Sequence, residues 1–136
     1  MRELGIGLLA YSPLSRGLML KREFGEGDWR ANMPRHGGEH LATNLAAADA
    51  LAAAAAKRGC TSAQLALAWI LAQGEDIVPI PGTTNLGRLA ENAGAARVGL
   101  TREEADELRK IVPEAVGDRY AGMHGTWNSK SGAGSH

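Results

Sequence analysis

Ile77-Val78-Pro79-Ile80-Pro81-Gly82-Thr83-Thr84-Asn85-Leu86-Gly87-Arg88-Leu89-Ala90-Glu91-Asn92 joins a short apolar run to a helix through a tight turn. The apolar part has the length and composition of a buried strand. The helix after it, about Leu86 to Ala93, opens with first-turn amides that have no acceptor within the helix. Such amides, with the positive end of the helix dipole, make a site for an anion. Arg88 lies one turn inside, where a planar guanidinium can fork onto a phosphate. Glu91 and Asn92 follow on the next turn. This pattern points to the phosphate of a nucleotide.

Upstream, Thr61-Ser62-Ala63-Gln64 spells a capping box. The helix it opens puts Leu65, Ala68, Trp69 and Ala72 on one face before Gln73-Gly74 ends it. Asn44 to Arg58 is almost entirely Ala and Leu, a strong helix composition, and Gly59 stops it. Gly5 to Tyr11 is a second apolar run, closed by Ser12-Pro13, and suits a strand buried on both faces of a parallel sheet. Between it and Leu41 lies a Gly- and Arg-rich stretch that reads as a long loop. Downstream, Gly94 fits a helix C-cap, and Thr101 with Glu104 forms another capping box. That last helix turns Ala105, Leu108 and Val112 inward until Pro113. A small core is expected around Leu65, Trp69, Leu89 and Leu108. Beyond Tyr120 the chain is rich in Gly and Ser, without periodicity, and reads as a mobile tail, residues 121–136. The element order is α/β with parallel strands, although Pro79 offers no amide to a central ladder.

Composition narrows the classes of function. The 136 residues make one domain or part of one, and 44% apolar residues can form a core. Aromatics are only 4%, so Ala and Leu supply most of the packing. Fifteen basic residues balance fifteen acidic ones, which argues against nucleic acid or a basic membrane anchor. A lone Cys60 excludes an internal disulfide and reads as inert packing in a reducing compartment. With no apolar run of membrane-spanning length and no signal-peptide h-region, a soluble cytoplasmic protein is expected. His36-Gly37-Gly38-Glu39-His40 spells H-x-x-E-H, but zinc chemistry needs it on a helix, which Pro34 and two glycines oppose. No metal site is expected.

The Ile80-Pro81-Gly82-Thr83 element, followed by Arg88 and the pair Glu91-Asn92, resembles the cofactor-binding stretch of the aldo-keto reductases. A second block, Ala10-Tyr11-Ser12-Pro13-Leu14-Ser15-Arg16-Gly17, resembles the Tyr-Ser-Pro-Leu-x-x-Gly turn of that family. The likeness runs from Arg2 to about Tyr120 and is to the branch that carries Ile-Pro-Gly-Thr. It implies the seventh and eighth strands of a (β/α)8 TIM barrel, with residues 1–120 as its cofactor-binding end. A complete barrel takes roughly 250 residues and eight strands, so the last two strands with their helices read as an incomplete barrel. Met1-Arg2-Glu3-Leu4 looks like the end of a preceding helix.

The resemblance implies reduction of aldehydes and ketones by hydride transfer from NADPH. It matches Tyr11 to the aromatic under the nicotinamide, and Ser12, Leu14 and Gly17 to the turn along the pyrophosphate. Gly82 belongs to the matched element, Thr83 and Arg88 match the holders of the 2′-phosphate, and Glu91 and Asn92 those that meet the adenine. Thr84 stands where this branch often has Lys, which weakens strict preference, yet Arg88 keeps NADPH favoured over NADH. No residue matches the family's catalytic Asp, Tyr, Lys or His, so the chain alone is expected to be inactive. Trp29 and Phe24 sit where the family often shapes its substrate pocket. Unpaired sheet edges would invite self-association. A non-catalytic nucleotide-binding module and a gene remnant without a stable fold stay open as alternatives.

Overall fold

The computed structural model describes residues 2–20 and 24–120, and the expected tail at 121–136 lies outside them. Two parallel strands, β1 (Leu8–Tyr11) and β2 (Ile77–Ile80), form a two-stranded sheet among the described residues. Two helices, α1 (His40–Lys57) and α2 (Ser62–Leu71), connect them; α3 (Leu86–Gly94) and α4 (Arg102–Ile111) follow. The strand register pairs Leu8 with Ile77 and Tyr11 with Ile80, so both blocks singled out in the sequence leave the sheet at the same end. Arg2 forks onto the Asp76 carboxylate (3.0 Å to each oxygen) and ties the opposite ends of the strands together.

Pro79 fits this sheet for a geometric reason. The Leu8 amide donates to the Asp76 carbonyl (2.7 Å), and bonding alternates along a parallel ladder. Pro79 therefore has its nitrogen on the edge away from β1, where the ladder loses no donor. The expectation of strands buried on both faces is corrected: Leu9 and Tyr11 are 66% and 51% exposed, and Val78 and Ile80 are also exposed. A sheet of two strands covers each strand on one side only.

The core lies between the helices. Leu51 and Ala55 of α1, Leu65 of α2 and Leu108 of α4 are buried together, with Met19, Trp69, Leu100 and Val112 packed around them. On α1 the buried positions are Asn44, Ala47, Ala48, Leu51 and Ala55, a stripe at helical spacing. Trp69 is half-buried and donates its indole N–H to the Ala105 carbonyl (2.9 Å), which joins α2 to α4. Leu89 departs from the expected core: it is 55% exposed on α3.

Both capping boxes form. Thr61 and Gln64 exchange bonds of 3.1 and 3.2 Å, and Thr101 and Glu104 bonds of 2.8 and 3.2 Å. Glu104 also accepts from Arg58 (2.8 Å), locking the end of α1 to the start of α4. Helix α1 begins four residues ahead of Asn44, and short 3-10 turns at Ser15–Leu20, Trp29–Asn32 and Pro34–His36 organise the expected loop. Gly94 is not the C-cap; it has φ −60 inside α3, and Ala95 caps the helix. Its lack of a side chain has another cause. A Cβ there would lie 2.6 Å from Gln64 Nε2, which donates to the Glu91 carbonyl (3.2 Å) and docks α3 on α2.

Candidate functional site

At the end where both strands stop, the chain forms an open cleft of about 780 Å3. One wall is the turn after β1, with Ser12, Leu14 and Gly17; the other is the turn after β2 with Gly82, Thr83, Arg88 and Asn92 of α3. Seven of the nine residues singled out in the sequence thus face one space. Tyr11 and Glu91 do not line it. The Tyr11 ring lies beneath the Arg119 guanidinium, 4.9 Å from its centroid. Glu91 contributes its carbonyl to the Gln64 bond.

The β2 side is organised around the start of α3. Asn85 caps α3 by accepting from the Arg88 amide (3.0 Å), and Thr83 Oγ1 accepts from the Asn85 amide (3.2 Å). The amides of Leu86 and Gly87 precede the first intrahelical acceptor, so the helix itself does not satisfy them. The Arg88 side chain is exposed and has no ion-pair or hydrogen-bond partner among the described residues. On the β1 side, Ser12, Ser15, Arg16 and Gly17 all have positive φ, between 48° and 99°. Three of them carry side chains, and such left-handed backbone at a loop marks strain often found at functional turns. Gly17, buried at φ 99, is the position where glycine relieves that strain most directly.

The loop after β1 supplies a third wall, of which Trp29 was anticipated and its charged residues were not. Gly25 to Arg30 and Arg16 also line the cleft, so the loop after β1 folds back over it. Asp28 caps the Trp29 turn, accepting from the Arg30 amide (3.0 Å) and from its Nε (2.9 Å). Arg30 rests over Phe24 (4.6 Å) and donates to the Arg16 carbonyl (3.3 Å). Trp29 lines the cleft, whereas Phe24 packs on His36 (centroids 4.7 Å apart) outside it. The Asp-x-Arg spacing beside an aromatic was the available signal, since Asp caps a turn two residues on.

The Asp28–Arg30 clasp makes a pH prediction. Side-chain and backbone bonds from Arg30 hold the Asp28 carboxyl down to about 2 from 3.8. A depressed carboxyl stabilises the fold above its ordinary pKa and loses that contribution as pH falls through the depressed one. The clasp should therefore be intact at pH 4 and open towards pH 2. An NMR titration of the Asp28 carboxyl should find its midpoint near 2, and Arg30→Gln should return it towards 3.8.

The H-x-x-E-H stretch is divided by the fold. His36 ends a 3-10 turn, Gly37 is extended at φ −150, and His40 opens α1. His36 is buried with Nδ1 unpartnered, and burial pushes its pKa below 6.5. Among the described residues, no three His, Cys, Asp or Glu side chains are grouped to hold a metal. Cys60 is half-buried against the core and its thiol faces the Ala55 carbonyl (3.7 Å). No helix of the described residues is long and apolar enough to cross a membrane.

The model of the Aldo/keto reductase family matches residues 1–113. The chain belongs to that family of nicotinamide-dependent oxidoreductases, whose members fold as TIM barrels; the two parallel strands and unclosed sheet are consistent with part of one.

Proposed function

We propose that this chain is the NADP(H)-binding end of an aldo-keto reductase, and that its own part in carbonyl reduction is to hold the dinucleotide. The observation that carries the reading is the meeting, in one cleft, of the turns after β1 and β2, sixty-odd residues apart in sequence. The residues fit the group. Leu86 and Gly87 offer helix-start amides, Arg88 offers an unpaired guanidinium for the 2′-phosphate, and the left-handed turn at Ser12 to Gly17 borders the pyrophosphate path. We assign to the adenine Asn92, which lines the cleft from the same helix. When bound, the nicotinamide supplies the hydride for reducing an aldehyde or ketone; the protein orients it. No residue of the chain matches the family's catalytic motif, so we assign the isolated chain binding without turnover. Barrel strands from elsewhere, or a second copy at the exposed sheet edges, would complete the surroundings.

The test is a fluorescence titration of the purified chain with NADPH and NADH. Arg88→Ala should weaken NADPH about tenfold, the size of one charge-assisted hydrogen bond at an exposed site, and leave NADH unchanged. Equal losses for both cofactors would remove Arg88 from the 2′-phosphate. Absence of saturable binding would refute the reading for this chain.

A further inference from the structure

The segment Val116–Tyr120 follows α4 and reaches Tyr11 and Arg16, and both its base and its tip are fastened. At the base, Asn44 donates to the carbonyls of Val116 (3.1 Å) and Arg35 (2.8 Å) and accepts from the Val116 amide (2.9 Å). Arg35 Nε adds a bond to the Gly117 carbonyl (2.8 Å). Gly117 turns the chain at φ 87, and a Cβ there would lie 2.6 Å from the His40 ring. At the tip two reciprocal Arg–aromatic pairs form. Arg119 stacks over Tyr11 (4.9 Å), while Tyr120 presents its ring (4.5 Å) and its hydroxyl to Arg16.

Those two partners matter. Tyr11 ends β1 opposite Ile80, which lines the cleft, and Arg16 lines it directly. The tip therefore occupies an aromatic face suited to a flat base and holds a guanidinium suited to a phosphate. A ligand that takes the Tyr11 face under Arg119, or the Arg16 contact held by Tyr120, displaces the segment from it.

We propose that Val116–Tyr120 is a latch that competes with a nicotinamide dinucleotide for Tyr11 and Arg16. The inference rests on the nucleotide reading above. Binding and latch release are then linked: each favours the other by the same factor. The base, held by the buried Asn44, acts as a hinge that keeps the tip close, so re-closure after release needs little loop ordering.

The experiment uses the full 136-residue chain with two probes, NADPH and 2′,5′-ADP, which has the 2′-phosphate and adenine but no nicotinamide. Arg119→Ala should tighten NADPH roughly two- to fivefold, the scale of an exposed cation–π contact, and leave 2′,5′-ADP unchanged. Tyr120→Leu should tighten NADPH too, through Arg16. Thermal melts confirm that each variant keeps the parent fold. Trypsin cleavage after Arg119 gives an independent readout: NADPH should accelerate it and 2′,5′-ADP should not accelerate it to the same extent. NADPH affinity that is unchanged or reduced in Arg119→Ala, or cleavage indifferent to NADPH, overturns the latch while Arg88-dependent binding of 2′,5′-ADP leaves the nucleotide reading standing. If neither probe binds the parent or the variants, the nucleotide reading fails and the latch with it.

Discussion

Asn44→Leu is expected to lower the unfolding free energy by about 3 kcal/mol, read from urea melts followed by circular dichroism. Asn44 is fully buried on α1, and its amide makes three hydrogen bonds to main-chain groups of two separate segments. Leucine has the same branching with bulkier methyl groups, so no cavity opens and any overpacking adds to the cost. What is lost is the partner of two carbonyls and one amide, and a buried polar group left unpaired costs about 1–3 kcal/mol. The three groups are partly buried, which places the sum near the lower end of that range for each. The substitution also releases the base of the Val116–Tyr120 segment, so Arg119 should become a faster tryptic site without any ligand. A change below about 0.5 kcal/mol would mean that water replaces the network readily, and that the segment is held by its tip alone.

How much of this was legible in the sequence depended on how local the cause was. The two Thr-led capping boxes formed as read because each is closed within four residues. The Ala-rich run is helical for the same reason, and it starts earlier than Asn44 because Gly38 and Glu39 turn the chain into it. Asn44 itself was taken as a helix start; its network reaches residues 35 and 116, and spacing along one helix carries no sign of that. Gly94 looked like a helix stop, yet its role is room for Gln64, thirty residues away. The cleft's two outer walls were legible since a helix-start anion site and a Ser-Pro turn are local devices. Of the third wall only Trp29 was anticipated, because Arg16, Asp28 and Arg30 meet only when the loop folds back through contacts among side chains. The misplaced burial of the strands has one physical origin: apolar strand composition anticipates neighbours, and among the described residues this sheet has only two members.

Leu65→Ala should destabilise the chain by about 3 kcal/mol, while Leu89→Ala should cost less than about 1 kcal/mol. Leu65 is completely buried where α1, α2 and α4 meet, beside Leu51, Ala55 and Leu108. Truncating it removes the transfer energy of three carbons and leaves a cavity that the helices cannot fill. They are held in place on both sides: Glu104 pins α4 to Arg58, and Trp69 pins α2 to the Ala105 carbonyl. Leu89 projects from α3 with over half its surface in water, so its loss opens no void. The contrast separates two accounts of the chain. If the helical core alone carries stability, Leu65→Ala melts far below the parent and Leu89→Ala melts with it. If the exposed faces of β1, β2 and α3 are covered in solution by another chain, Leu89→Ala also costs well above 1 kcal/mol, and its effect grows with protein concentration. The consequence for function follows from the same geometry. Leu65 adjoins Gln64, whose bond to the Glu91 carbonyl holds α3 and hence Arg88 and Asn92 against the cleft. On the proposed cofactor reading, Leu65→Ala should therefore weaken NADPH binding even at temperatures where the chain remains folded, whereas Leu51→Ala, on a helix without that tie, should lower the melting temperature alone.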